Sequence, residues 1–279
     1  MLMTAGEMKE LSAQRVDARA RLTLRHAEGR TRIARLYQEG AAKIRMPEVP
    51  AGPFEAILIN TAGGLTGGDQ IAWEIEAGNG ACVTVTTQAC EKLYRSRSGE
   101  ARADVRLSAA EGARIAWLPQ ETIVYDRSSF SRRLEVDLAA GAQALIVEAT
   151  LFGRLAMGES VSRATFRDRW RVRREGRLVH AEAFSVGPDL AAKLARPAVT
   201  GGAAAIATVL FVSPDAEEFL PEVRKIVGEK DGASVWSVGG TGKLLARLVA
   251  GDGYTLRKRL APLVGLLNGQ AGLPKVWSL

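Results

Sequence analysis

The chain of 279 residues is 47% apolar and 25% charged, with a net charge of +7. That is the composition of an ordinary soluble globular protein, long enough for one large domain or two small ones. No stretch approaches the ~20 apolar residues of a membrane-spanning helix, and Cys82 and Cys90 match no zinc spacing, with only His26 and His180 beside them.

The N-terminal stretch MLMTAGEMKELSAQRVDARAR has no apolar core followed by a small-residue cleavage site, so no secretory signal and a cytoplasmic location are expected. The two cysteines fit a reducing compartment and plain packing. INTAGGLTGGDQI, residues 59–71, packs four glycines and an aspartate into seven positions. It does not fit G-x-G-x-x-G, and the QIAWEIEA that follows alternates as a strand does. A bulged hairpin whose glycines accept positive φ accounts for the glycines and leaves Asp69 unexplained.

From residue 53 to about 185, strand follows strand. ACVTVTT, ARIAWL, TIVY, RLEVDL, ALIVEAT and RLVHAEAF are short β-branched or alternating runs parted by Gly, Ser and Asp turns. Three segments, IEAGNGACVTVTTQ, LSAAEGARIAWLPQ and DLAAGAQALIVEA, align on Gly80, Gly112 and Gly141, with Gly176 as a weaker fourth. Each unit reads as a strand, a turn ending in Gly, and a second strand, which predicts stacked β-units. In FRDRWRVRREGR, period-2 alternation places Phe166, Asp168, Trp170 and Val172 on one face and Arg167, Arg169, Arg171 and Arg173 on the other. This is a half-buried strand with a basic outer face. A solvated charged face accounts for the pattern; as a binding surface, without stacking aromatics, it suits an acidic protein partner better than nucleic acid.

Two carboxylates stand inside apolar strands. Glu148 shares a face with Ala144 and Ile146, and Glu182 shares one with His180. A buried carboxylate needs a partner, a water-filled cavity or a cation. Asp69, Glu148 and Glu182 are therefore candidates to line one polar passage, although surface exposure on amphipathic strands would equally fit the pattern.

Beyond residue 200 the character changes. A strand in TGGAAAIATVLFVS leads to Ser213, a candidate cap for a helix over 214–228 with Pro214 in its first turn. SVWSV and KLLARLVA read as strands, and Leu256, Leu260, Leu263, Val264 and Leu267 share one face of a helix over 254–267. The order β-α-β-β-α predicts a small C-terminal α/β portion, about 201–279, on a β body of about 20–200. SVGGTGKLLARL carries Gly242-Lys243 but lacks the first glycine and the terminal hydroxyl of a phosphate loop. No G-x-S-x-G elbow is present. A hydrolase reading is left with paired carboxylates, as in a β-solenoid carbohydrate-active enzyme.

NTAGGLTGGD, TTQACEKLYRS, WLPQETIVYDRSSF, GRLAMGE and RDRW follow one another between residues 60 and 170, and LPKVW stands near the C-terminus. In this order they resemble the urease accessory protein UreD family, called UreH in some organisms, and LTLRHAEGRTRIARLYQEGAAKIRMP resembles its first strands. The resemblance spans nearly the whole chain beyond the first ~17 residues and implies a single domain over 1–279, mainly β, with stacked sheets resembling a β-helix. It implies a non-enzymatic chaperone for nickel insertion that binds UreF, which carries the GTPase UreG, and docks on apo-urease. A dimer within the accessory complex is compatible with it. It further implies nickel as a transported ion in an internal tunnel, with no tightly bound cofactor. On that resemblance Asp69, Glu148 and Glu182 lie on the passage, with Glu91 and Lys92 nearby. No nickel role is assigned to Cys90, where the family commonly has a small residue.

Overall fold

Period-2 alternation of apolar and polar residues lets a strand bury one face and wet the other, and the chain repeats that device throughout. The computed structural model describes residues 15–47, 53–154, 158–229 and 231–278; the middle of the GRLAMGE motif, 155–157, lies outside them. The N-terminal strands are β1 (Asp17–Ala27), β2 (Arg30–Glu39), β3 (Ala42–Arg45) and β4 (Phe54–Asn60). Next come β5 (Gln70–Ala77), β6 (Cys82–Thr87), β7 (Glu91–Leu93), β8 (Ala101–Ala109), β9 (Arg114–Leu118) and β10 (Thr122–Val124). The longer strands β11 (Ser129–Leu138), β12 (Gln143–Phe152), β13 (Thr165–Arg174) and β14 (Arg177–Val186) follow. The remainder comprises a short helix α1 (Leu190–Leu194), β15 (Ala205–Ser213), α2 (Leu220–Val227), β16 (Gly232–Val238), β17 (Thr241–Ala250) and α3 (Gly253–Asn268).

Among the described residues these strands form two stacked sheets. The first runs β14-β13-β11-β8-β5-β1-β2, and the second β16-β17-β15-β12-β9-β6-β4-β3, with β10 beside β12 and β7 beside β10. Strands from β4 to β13 shuttle between the sheets, so that β5, β8, β11 and β13 pair in parallel in one, and β4, β6, β9 and β12 in the other. This is the stacked, solenoid-like body expected from the repeat. Gly80, Gly112 and Gly141 occupy equivalent turns from the first sheet to the second, at φ of 67°, 64° and 67°, a conformation that glycine adopts without strain. Gly176 is not a fourth such turn. It closes the antiparallel hairpin β13–β14 within one sheet.

A second interruption is also stacked. Residues 88–90 separate β6 from β7, and residues 119–121 separate β9 from β10 one layer up, where Gln120 N donates to Thr87 Oγ1 at 2.9 Å. The interlayer core is apolar over most of its length, with Leu22, Ile75, Leu107 and Val136 facing Leu58, Val85, Ile115 and Ile146. The second sheet is buried on both sides. Its outer face, including Leu145, Val147, Val209 and Phe211, lies under Val223 and Val227 of α2 and the apolar stripe of α3. That double burial explains why ALIVEAT is nearly continuously apolar.

Two further expectations are corrected by the fold. The glycine-rich stretch is not a hairpin, because β4 and β5 lie in different sheets and the loop crosses between them. The helix predicted over 214–228 is confined to Leu220–Val227, with Pro221 in its first turn. Ser213 ends β15, and its hydroxyl donates to the Asp215 carboxylate instead of capping a helix. The C-terminal β-α-β-β-α order is present, and its strands extend the second sheet. No helix among the described residues is long and apolar enough to cross a membrane.

Candidate functional site

The interlayer core is interrupted by charge where β11, β12 and β13 come together. Arg132 and Asp168 are register partners on parallel strands, and both point inward where alternation would otherwise place an apolar residue. Arg132 Nε donates to Asp168 Oδ1 at 3.1 Å and Nη2 to Oδ2 at 2.6 Å, a two-pronged pair. From the opposite sheet Glu148 takes Arg132 Nη1 on one oxygen and Trp117 Nε1 on the other, the latter at 2.8 Å. All three charged residues are buried. Burial works against the Arg132 charge, but the Asp168 and Glu148 carboxylates outweigh it and hold its pKa above the ordinary value. Burial pushes Glu148 up to about 7 against the pull of Arg132.

Beside this triad lies a cavity of about 440 Å³, between β13–β14 of the first sheet and β12, β15 and β17 of the second. Glu148 and Asp168 line it together with Glu182 and Arg247, and Lys193 and Arg196 border it. Arg247 Nη2 donates to Glu182 Oε2 at 2.5 Å, linking the two sheets a second time. Side-chain exposure rises from 3% at Glu148 to 13% at Glu182 and 58% at Arg247, so the charged lining leads outward from the core.

The structure thus brings Glu148 and Glu182 to one cavity and places Asp69 elsewhere. Asp69 is buried at the start of β5, where one oxygen accepts from Val16 N at 3.0 Å and the other from Thr66 N at 2.7 Å. The aspartate that a turn alone did not explain therefore ties the glycine-rich loop to the chain entering β1. The glycines fit the same junction. A Cβ on Gly64 would sit 2.4 Å from the Tyr94 ring, and one on Gly67 would sit 2.0 Å from Ser96 Oγ.

Glu91 is half-buried on β7 and receives Asn60 Nδ2 on its carboxylate at 3.2 Å. Desolvation, with a smaller push from Asp69, raises it to about 7 despite the Asn60 bond. Register pairing aligns Glu91 with Thr122 and Thr122 with Thr150, and Thr122 reaches Arg132 at 3.4 Å. A polar row therefore runs from Glu91 toward the triad, while Lys92 is exposed on the other side of the strand.

Sequence reasoning missed Arg132 as a site residue and treated Asp168 only as an inward member of its strand. The signal was present in the alternation of Phe130, Arg132, Leu134 and Val136. The basic strand is as expected: Phe166, Asp168, Trp170 and Val172 are buried, Arg167 and Arg169 are exposed, and Arg171 and Arg173 are half-buried. Glu100 pairs with Arg167 at 2.5 Å, and Arg171 donates to the Trp170 carbonyl at 2.7 Å. Cys82 is exposed, and Cys90 lies against Glu121, its thiol pushed up to about 12 by burial and that carboxylate. Among the described residues no group of three or more His, Cys, Asp and Glu side chains forms a metal-holding cluster. The carboxylate pair nearest a hydrolase arrangement, Glu148 with Asp168, is bound by one guanidinium.

The sequence model of the family described as UreD urease accessory protein matches residues 16–278. A urease accessory protein UreD of Mesorhizobium japonicum is 64% identical over 267 residues, covering 96% of this chain and 95% of that one. A urease accessory protein UreD 1 of Brucella abortus is 58% identical over 279 residues, all of both chains. A third relative, a urease accessory protein UreD of Brucella suis, is 60% identical over 266 residues, 95% of each.

Proposed function

This chain belongs to the UreD urease accessory protein family, and on that premise we propose that it serves urease maturation as a chaperone, not as a catalyst. In this reading it docks with UreF-like and UreG-like proteins on apo-urease, and nickel passes through it as cargo. The observation that carries the reading is the cavity between the sheets, whose carboxylates Glu148, Asp168 and Glu182 run from its buried side outward among the cations Lys193, Arg196 and Arg247. A transfer path must release its metal, and scattered carboxylates with water suit a borderline cation better than a closed Cys/His cage. Glu91 and Asp69, at the far end of the polar row through Thr122, extend the path toward the glycine-rich loop, with Lys92 beside it. Arg167, Arg169, Arg171 and Arg173 offer a basic face to an acidic partner, acting on association rate more than on contact energy.

The test is nickel loading of apo-urease by the full accessory complex. Glu182→Gln is expected to lower nickel content and urease activity while pull-downs show the same assembly. Normal loading with Glu148 and Glu182 both replaced would remove the conduit role. Failure to bind UreF-like protein or apo-urease at moderate salt would remove the partner reading.

A further inference from the structure

His180 stands two residues before Glu182 on the inward face of β14, and no hydrogen bond explains it. Its side chain is 6% exposed, and Nε2 is buried without a partner. That nitrogen lies 4.0 Å from Glu182 Oε2, the same oxygen that Arg247 holds. An unpaired polar nitrogen in a protein interior is costly and calls for an explanation. Burial, aided by Lys243 and Arg247, pulls His180 down to about 4, so the imidazole is neutral at pH 7. The cations nearby are already engaged, Lys243 Nζ donating to the Val179 carbonyl at 3.0 Å and Arg247 to Glu182. A neutral imidazole holds a lone pair on one ring nitrogen and is a common ligand for transition metals.

We propose that His180 Nε2 and the Glu182 carboxylate form a two-ligand transit site for a divalent transition-metal cation, with Arg247 occupying Glu182 whenever the metal is absent. The inference rests on the nickel-delivery reading and assigns a particular station on that path. Bonds of about 2.0–2.2 Å to imidazole nitrogen and carboxylate oxygen place two such donors roughly 3–4 Å apart around one ion, which the observed separation nearly meets. Imidazole with carboxylate suits a borderline cation, and water completes its shell. Arg247 is 58% exposed and free to swing toward solvent. As the metal enters it leaves, and as the metal moves on it returns, so Glu182 is not left unpaired. Two protein ligands with Lys243 and Arg247 close by hold a cation weakly, as a hand-off requires.

The chain contains just two histidines, and His26 is exposed on β1, a built-in control. Nickel chloride would be titrated into the full-length chain, alone or in its accessory complex, while the imidazole NMR signals are followed. Paramagnetic broadening is expected at His180 before His26. His180→Gln and Glu182→Gln should each weaken nickel binding on the order of tenfold or more. Arg247→Met should tighten it several-fold, a gain that loss of a merely structural ion pair would not produce. Broadening at His26 first, or unchanged affinity in folded His180→Gln, overturns the site. If that variant also delivers nickel to urease normally, the delivery reading survives without this station. If the wild-type chain shows no broadening at millimolar nickel and urease still loads normally without Glu148 and Glu182, both fail.

Discussion

Arg132 and Asp168 sit side by side on adjacent parallel strands and meet through two hydrogen bonds, 3.1 and 2.6 Å long, inside an otherwise apolar layer. Their charge is completed from the facing sheet by Glu148. Two carboxylates sharing one guanidinium leave the cluster formally negative. Removing the cation would leave both largely buried acids without their shared partner.

Arg132→Met is therefore expected to cost about 3–5 kcal/mol, the usual penalty for breaking a buried ion pair from one side. Replacing all three with Arg132→Met, Asp168→Leu and Glu148→Leu should recover most of that loss. Urea denaturation of the two variants is the measurement, and equal instability in both would mean that packing, not charge, governs the site. Glu148→Leu alone also removes the partner of Trp117 Nε1. Glu182→Gln is thus the cleaner probe of metal transfer.

Glu91 makes stability depend on pH. Its folded pKa is raised, chiefly by desolvation, to about 7, above the ordinary carboxylate range. The native state then holds a proton that the unfolded chain has lost, so stability falls as pH rises from about 4.5 through 7. Glu91→Gln should flatten that decline, matching the wild type near pH 4 and exceeding it at pH 8. Chemical denaturation at several pH values checks this. A variant less stable at pH 8 would show that the ionised carboxylate is held by Asn60 more strongly than burial opposes it.

How far the sequence reveals the architecture depends on the range of the cause. The stacked turns at Gly80, Gly112 and Gly141 were legible because glycine marks positive φ locally and the units recur. The basic strand was legible because alternation is a local pattern. The crossing nature of the glycine-rich loop was not, since hairpin and crossover share the same turn chemistry and differ only in which sheet the next strand joins. Asp69 showed only that a turn did not account for it; its partner Val16 is 53 residues away. Arg132 was hidden beside Arg133, and only alternation across β11 separates the buried one from its neighbour.

The glycines of the crossing loop separate crowding from backbone strain. Gly67 is not at positive φ, yet a Cβ there would lie 2.0 Å from Ser96 Oγ and 2.2 Å from the Ser98 carbonyl oxygen. Gly67→Ala must displace loop 95–99 and is expected to cost about 1–3 kcal/mol, as overpacking does. Gly63 has φ of 76° and no atom within 4 Å of such a Cβ. Gly63→Ala should cost only about 1–2 kcal/mol of left-handed strain. Thermal denaturation of the two variants is the measurement, and a Gly67→Ala cost no larger than that of Gly63→Ala would mean that residues 95–99 yield freely to the added methyl.

The outer face of the first sheet allows partner docking to be tested apart from folding. Arg133 and Arg169 are register neighbours on β11 and β13, and Asp104 flanks Arg133 on β8. Like charges directly opposite each other on a sheet are mildly destabilising. Arg169→Glu would therefore set opposite charges side by side and leave stability unchanged or slightly higher. If the Arg167–Arg173 face steers an acidic partner, the same change should slow association with the accessory complex or apo-urease at low salt. The deficit should shrink as salt rises, because exposed charges are screened beyond about 10 Å at 0.1 M. Stopped-flow or surface-binding kinetics over a salt series reads this directly. Loss of binding with a salt-independent dissociation rate would make the strand a contact surface, and unchanged association at low salt would take it out of the docking face.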